Sequence, residues 1–434
     1  MELTLVAVIL LAVLLALLAC GLWIGFSLLL AGAFAIAVFT SPPVGKVVAT
    51  TVWGHAADWT LTALPMFIWM GEILFRSKLS EGMFAGLAGW FSRVPGRLLH
   101  VPIAGCALFS AISGSSTATC ATVSRVTLPE LLARGYPDKV VIGALASAGT
   151  LGILIPPSII MIVYAVAADV SIIQLFIAGI VPGLLVALLF AGYVAVWAML
   201  HPAQVPQENP LPLGRMLRQS RRLLPCLALI AGVFAGLFSG VATATEVGAL
   251  GVAAALGIAA ANGTLTLRSF SESLAGTVHI TCMIGLILVG ANVLSTAMAL
   301  TGIPVALADW VKSMQLSPYL VILALSVVYL LLGTALEGVS MILLTTSIAL
   351  PMAQGAGFDP VWFGIFIVIM TELSTLSPPV GFNLFVMQTI TGRSGNFVAL
   401  ATLPFFLILL FSVALFAVWP ELVTWLPQRL MQKN

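Results

Sequence analysis

The sequence predicts an all-α polytopic membrane protein of two inverted-topology repeats of five spans, each repeat with a re-entrant helical hairpin and a broken helix. Three observations carry that prediction. Of 434 residues, 61% are hydrophobic and only 7% charged, whereas a soluble domain carries about 25% charged residues. Such a chain cannot cover itself with a water-compatible surface. Apolar segments near the roughly 18 to 20 residues that cross a bilayer recur throughout, unlike barrel strands, which alternate over about ten residues. Finally, "LPELLARGYPDKVVIGALASAGTLGILIPPS" from Leu128 and "LPMAQGAGFDPVWFGIFIVIMTELSTLSPPV" from Leu350 superpose at one offset of 222, which aligns Gly135 with Gly357, Tyr136 with Phe358 and the two Pro-Pro pairs.

Hydropathy and helix breakers place spans near 3–20, 22–40, 58–76, 138–168 and 172–200, then near 223–240, 245–261, 275–300, 360–391 and 397–426. The first has the length of a signal peptide, and "LLAC" resembles a lipoprotein cleavage box. Its start, however, carries Glu2 and no Lys or Arg, and another apolar stretch follows at once, so it reads as a retained span. After the third span of each half come apolar arms too short to cross: 100–112 and 117–130 around "SGSS", and 318–335 and 339–350 around "LEG". An arm of about 13 residues reaches about 20 Å, against a hydrocarbon core of about 30 Å. These arms predict hairpins at about 100–130 and 318–350 that enter the membrane and turn back. "GMFAGLAGWFSRVPGR", residues 82–97, reads as an interfacial brace anchored by Trp90 and Arg93. Residues 1–200 then form the first repeat, the polar stretch 201–222 a cytoplasmic linker, and 223–434 the second repeat.

An odd number of spans per repeat inserts the second half upside down. With the N-terminus outside, 12 of the 17 basic residues fall in inner loops and Lys46, Lys312, Arg429 and Lys433 outside, as the positive-inside rule requires. Both termini are then expected on the periplasmic side. Cys20, Cys106, Cys120, Cys226 and Cys282 show no metal-ligand spacing and read as small buried hydrophobes. No transition-metal site or cofactor is expected, and the basic residues are loop residues that imply no nucleic acid.

Inverted repeats with broken helices are an architecture of secondary transporters, where unwound backbone is tolerated because it lines a cavity. "SGSS" forms a hairpin tip, where Ser113, Ser115, Ser116, Thr117 and Thr119 stand beside carbonyls and amides without intrahelical partners. Carbonyl and hydroxyl oxygens suit a small hard cation such as Na⁺, and a helix N-terminus suits an anion. "GTLGILIPPS" and "TELSTLSPPVGFN" add a helix break to each half, since proline frees carbonyls. A Pro-Pro alone is only a kink and a Ser/Gly run alone only a packing surface; four breaks at two symmetric positions point to two cation sites flanking one substrate site. Ionisable residues at membrane depth are costly and usually functional. Glu337 at the second tip and Glu372 before the second Pro-Pro read as cation, proton or gating groups, with structural pairing as the alternative. Glu72 lies late in the third span, and Glu246 is a candidate helix cap after Thr243. Arg125, buried in the second arm of the first hairpin, reads as an anchor for an anionic substrate or a partner for a carboxylate, and Asn383 as a ligand through its amide.

"SGSS", "LPELLARGYPDKVVIGALASAGTLGILIPPSIIMIVY", "TATEVGALG", "LEGVSMILLTTSIALPMAQGAGFDPVWFGI" and "LSPPVGFNLFV" closely resemble the large membrane subunit of tripartite ATP-independent periplasmic (TRAP) transporters over nearly the whole chain. The resemblance implies an elevator-type transporter in the bacterial inner membrane. It also implies a small four-helix membrane subunit, a periplasmic substrate-binding protein, a carboxylate-bearing organic solute and Na⁺ as coupling ion. Carried over by position, the family's motifs fall on Ser113, Gly114, Ser115, Ser116, Gly149, Thr150 and Gly152, and on Ser377 in the second half, all expected to bind the cation; the residues' own chemistry adds Glu337, Gly338, Glu372 and Ser374 to the expected cation ligands. Thr117, Arg125, Pro156, Pro157, Pro378, Pro379, Gly381 and Asn383 are assigned to the substrate or to gating. The chain departs from the family pattern at Glu337-Gly338, where an aspartate and a proline are common, at Val247 after Glu246, and at Glu372, where an uncharged residue is common. Rival readings are a stand-alone Na⁺- or H⁺-coupled dicarboxylate carrier and an intramembrane serine hydrolase. The hydrolase lacks an acidic orienter for His279 and leaves the repeat unexplained. No GxxxxGK[ST] loop supports ATP-driven transport.

Overall fold

The computed structural model describes residues 3–77, 79–207, 212–334, 336–378 and 381–431. Among them the chain is helical, without strands. Helices α1 (Leu3–Ala19) and α2 (Ile24–Phe39) are parted by Gly21 at φ +77°, and Pro42-Pro43 precedes α3 (Val44–Ala56), an unforeseen helix with no buried residue. A 3₁₀ turn capped by Asp58, whose carboxylate accepts from Thr60 N at 2.8 Å, leads into α4 (Ala63–Phe75). The brace is α5 (Leu79–Phe91), and the first hairpin is α6 (His100–Ser113) with α7 (Ser116–Ala133). Helices α8 (Asp138–Ala148) and α9 (Leu151–Leu154) form one limb, bent by 41° from α10 (Ile159–Ala167). The 29-residue α11 (Ile172–Leu200) closes the half, and α12 (Leu213–Ser220) lies in the linker.

The second half runs α13 (Leu224–Phe238), α14 (Ala244–Ala261), the 35-residue α15 (Leu267–Thr301) and α16 (Ile303–Ser313). Next come α17 (Pro318–Gly333) and α18 (Gly338–Gly355), then α19 (Pro360–Thr375) and α20 (Phe382–Thr391), parted by the second Pro-Pro region, and finally α21 (Gly395–Val418) and α22 (Glu421–Met431). The span expected at 397–426 is thus two helices, because Pro420 supplies no N–H to continue α21. Elsewhere proline is accommodated within helices at Pro129, Pro182, Pro351 and Pro404.

Among the described residues, 6 helices are long and apolar enough to cross a membrane, or 7 with the bent limb counted as one. Among the expected spans, α1, α2, α4 and α19 are shorter than 18 residues as helices, and α13 passes that length only when joined with α12 in one run over Leu213–Phe238. In contrast, the second arms of both hairpins, α7 and α18, reach 18 residues each because they run on through Pro129 and Pro351 into polar segments. Contacts join loops that the charge count places on one side: Arg393 pairs with Asp138, Arg76 bridges Glu72 at 3.0 Å and Glu272 at 3.3 Å, and Arg97 donates to Pro206 O at 2.6 Å. Trp90 anchors the brace, but to the linker: its indole donates to Ser220 Oγ at 2.7 Å.

Two packing regions position the site. Along α2 and α15, Gly25, Gly32 and Gly290 let the backbones approach closely; a Cβ at Gly32 would lie 2.7 Å from Leu294 N, as at small-residue crossings of membrane helices. The hairpins and broken limbs instead surround α19, whose last 14 residues are all buried. There Trp362 donates to Phe416 O at 3.0 Å and Tyr164 to Pro360 O at 2.7 Å, so large aromatics fill the core with their polar atoms satisfied. The cysteine expectation holds for Cys106, Cys120 and Cys226; Cys20, in the turn after α1, and Cys282, on an outward face of α15, are exposed.

Candidate functional site

At the first tip the chain must reverse within two residues. Gly114 does so in the left-handed region at φ +60°, its N–H donating to Ser110 O at 3.0 Å. A side chain there would be strained and would also press on Pro157 O at 3.1 Å. Ser115 caps α7 by accepting from Ala118 N at 3.4 Å, and Ser113 and Thr119 share a hydroxyl hydrogen bond of 2.6 Å. The tip rests on the first broken limb. Ile159 N donates to Gly114 O at 3.3 Å, and a Cβ on Gly152 would stand 2.5 Å from Ser115 O. Gly149 lies as close to Cys120, and buried Thr150 donates to Ser147 O at 2.6 Å. Pro156 and Pro157, both buried, end the limb before Ser158 caps α10.

The second half repeats this seating with different chemistry. Gly333 abuts Ser374, and Gly338 abuts the Thr371 methyl group. Glu337 caps α18, its carboxylate accepting from Val339 N at 3.2 Å. Ser374 and Ser377 are buried and turn their hydroxyls onto Thr371 O at 2.6 Å and Ser374 O at 3.1 Å. Gly381 lies against Thr375 O and Ser377 O. Pro378 is exposed, and Pro379 lies outside the described residues.

The two halves meet at Glu372. This side chain is 0% exposed, and its carboxylate accepts from Ser116 Oγ at 3.3 Å and from Ile153 N at 3.3 Å. Grouped by sequence with the second break, it thus serves the first tip. Ser116 Oγ also faces Gly149 O at 3.2 Å and accepts from Asn383 Nδ2 at 3.0 Å, whose other hydrogen goes to Ala146 O at 3.2 Å. Asn383 Oδ1 is buried without a hydrogen-bond partner, as is Ser147 Oγ. One serine hydrogen cannot serve both Glu372 and Gly149 O. The cluster therefore holds more oxygen acceptors than donors around a buried carboxylate, a composition that fits a small hard cation.

A cavity of about 490 Å³ opens beside this cluster, lined from one side by α4 and α15 (Ile68, Gly71, Glu72, Phe75, Ile280, Met283, Ile284) and from the other by both tips and the limbs. Ser113 to Thr117, Glu337, Gly338, Thr371 and Thr375 all line it. Thr371 is the residue the sequence reading passed over: it is 1% exposed, its hydroxyl has no partner and it packs against Gly338; its place next to Glu372 in the sequence was the available signal. A larger recess of about 620 Å³ lies between the brace, α7 and the linker, away from the tips. Arg125 is exposed on α7 and does not line the cavity, contrary to the expected burial; Thr122, Val123 and Ser124 take the inward face instead. Glu246 is exposed and completes a capping box with Thr243, and Glu72 is paired with Arg76. His279 is exposed and does not line the cavity, which removes the base the hydrolase reading needs.

Comparison with known proteins gives consistent findings. Residues 11–422 match the family profile described as "Tripartite ATP-independent periplasmic transporter, DctM component". The chain is 32% identical over 402 residues to the C4-dicarboxylate TRAP transporter large permease protein DctM of Pseudomonas aeruginosa, covering 92% of this chain and 93% of that one. It is 30% identical to the sialic acid TRAP transporter large permease protein SiaM of Vibrio cholerae, covering 95% and 96%. It is 28% identical to the ectoine TRAP transporter large permease protein TeaC of Halomonas elongata, covering 85% and 86%. Among solved structures, the YdaH transporter of Alcanivorax borkumensis aligns with a TM-score of 0.65 at 14% identity, covering 92% of this chain and 97% of that one, a likeness of fold alone.

Proposed function

Because the chain belongs to the DctM component family of tripartite ATP-independent periplasmic transporters, we propose that it imports a carboxylate-bearing organic solute down a Na⁺ gradient by an elevator movement. The observation that carries the proposal is the convergence of Ser116, Gly149 O, Asn383 and Glu372 from two halves of the chain on one buried oxygen cluster. A Na⁺ ion held there would neutralise Glu372 and tie the first tip to both broken limbs. In this reading Ser113, Gly114, Ser115, Thr150 and Gly152 shape the first site, and Gly338, Ser374 and Ser377 a second one at the other tip. Gly381 and the Pro-Pro pairs set the limb ends. Arg125, exposed on α7, is left to attract anionic solute at the surface.

The cavity supports the elevator component, because α4 and α15 form one wall and the hairpin body the other. Sliding of that body against the wall would carry the cavity across the membrane. The inverted repeat, periplasmic termini and inner-membrane placement belong to the same proposal, as do a four-helix membrane subunit and a periplasmic binding protein that delivers the solute. C4-dicarboxylates, sialic acid and ectoine, for which the relatives are named, all carry a carboxylate. The test is thermal unfolding of the purified chain with its small subunit in NaCl, KCl and choline chloride at equal ionic strength. A ligand bound only by the folded state stabilises it by RT ln(1 + [L]/Kd). A Na⁺-specific rise in Tm that disappears in Ser116→Ala is expected; equal Tm values in the three salts would defeat the sodium reading.

A further inference from the structure

Resting on the reading of this cavity as the solute site, we propose that the solute is a zwitterion, its carboxylate held at the N-terminal end of α7 and its cationic nitrogen by Glu337. The charge inventory of the cavity drives this. Its described lining holds two carboxylates, Glu72 and Glu337, and no Lys, Arg or His. Glu72 is already matched by Arg76 at 3.0 Å. Glu337 receives only backbone N–H groups at its own helix end and meets no Lys, Arg or His in the described cavity lining, so its carboxylate, when ionised, is unbalanced in the cavity wall at membrane depth.

A purely anionic solute would meet that charge with no cationic side chain to offset it. A solute with an ammonium, amidinium or quaternary nitrogen balances Glu337 directly. Its carboxylate then finds the other half of the cavity, where α7, an 18-residue helix, presents its N-terminal end with Ser115, Ser116 and Thr117. A further group points to a ligand in this cavity: Thr371, whose buried hydroxyl lacks a partner, lines it against Gly338 at the second tip. With Na⁺ balancing Glu372 behind Ser116, the two tips present opposite polarity to one cavity.

The experiment measures the charge preference of the cavity without knowing the solute. Val339→Cys, in the cavity lining beside Glu337, is introduced in the full chain with exposed Cys20 and Cys282 changed to Ser, and purified with the small subunit. Modification rates are measured with a cationic (trimethylammonium-ethyl) and an anionic (sulfonatoethyl) methanethiosulfonate, each divided by its rate with free cysteine. The expected normalised ratio favours the cation on the order of tenfold, falls towards one in Glu337→Gln, and stays high when N-methylglucamine chloride is replaced by NaCl. Thr375→Cys, which also lines the cavity, repeats the measurement should Val339→Cys misfold. A ratio near one, or one unmoved by Glu337→Gln, overturns the proposal. A ratio that collapses only in NaCl overturns it too, because Na⁺ and not the solute would then be the partner of Glu337. A Na⁺ effect common to both reagents reports coupling; its absence counts against sodium-driven transport while the ratio still decides the solute charge.

Discussion

The two hairpin tips occupy equivalent places in the repeat and reach a negative charge by different routes. At the offset of 222, Ser115 corresponds to Glu337, and both are N-caps of the hairpin's second helix. Ser116 corresponds to Gly338, and Thr150 to Glu372. The first tip is rich in hydroxyls and has no acid of its own; it takes Glu372 from the other half, fully buried. The second tip carries Glu337, which faces the cavity. Under the proposed function, the difference amounts to a division of labour between symmetric positions: one carboxylate is buried to hold an ion, the other is displayed to read a solute.

That contrast can be broken experimentally. The largest effect is expected from Glu372→Gln, which keeps the shape and removes the charge: Na⁺ affinity read from Tm titrations should fall on the order of ten- to a hundredfold, about 1.4 to 3 kcal/mol. Glu337→Gln should leave that affinity within about twofold. Next comes Gly152→Ala. Its Cβ would meet the Ser115 backbone, which cannot yield, so about 1 to 3 kcal/mol of stability should be lost. Gly338→Ala meets a threonine methyl, a side chain with more freedom to shift, and should cost less in the same unfolding assay. The smallest effect belongs to Thr243→Ala, which removes a cap far from either tip. About 1 kcal/mol of stability should go, with the Na⁺-dependent Tm rise intact.

Much of this was legible beforehand because it is local. Short arms, Pro-Pro pairs and glycine tips show in the sequence since chain reversal and loss of an N–H are properties of a few neighbouring residues. The Thr243–Glu246 cap is equally local. The contact between Ser116 and Glu372, 256 residues apart, was not legible, because it depends on how two broken limbs pack. Arg125 was misplaced for a related reason: depth along an arm says nothing of rotation about its axis, and Thr122 to Ser124 face inward instead. Helix α3 escaped because Lys46, Thr50 and Thr51 interrupt its apolar run.

The central claim is that residues from opposite halves share one ion. A double-mutant cycle tests it most directly: Na⁺ affinity, from Tm titrations of wild type, Ser116→Ala, Glu372→Gln and the double variant. Shared coordination predicts strong non-additivity, a coupling of at least about 1 kcal/mol, with the second substitution costing little once the first is made. Additive losses, or a Glu372→Gln protein that binds Na⁺ as wild type does, would contradict it.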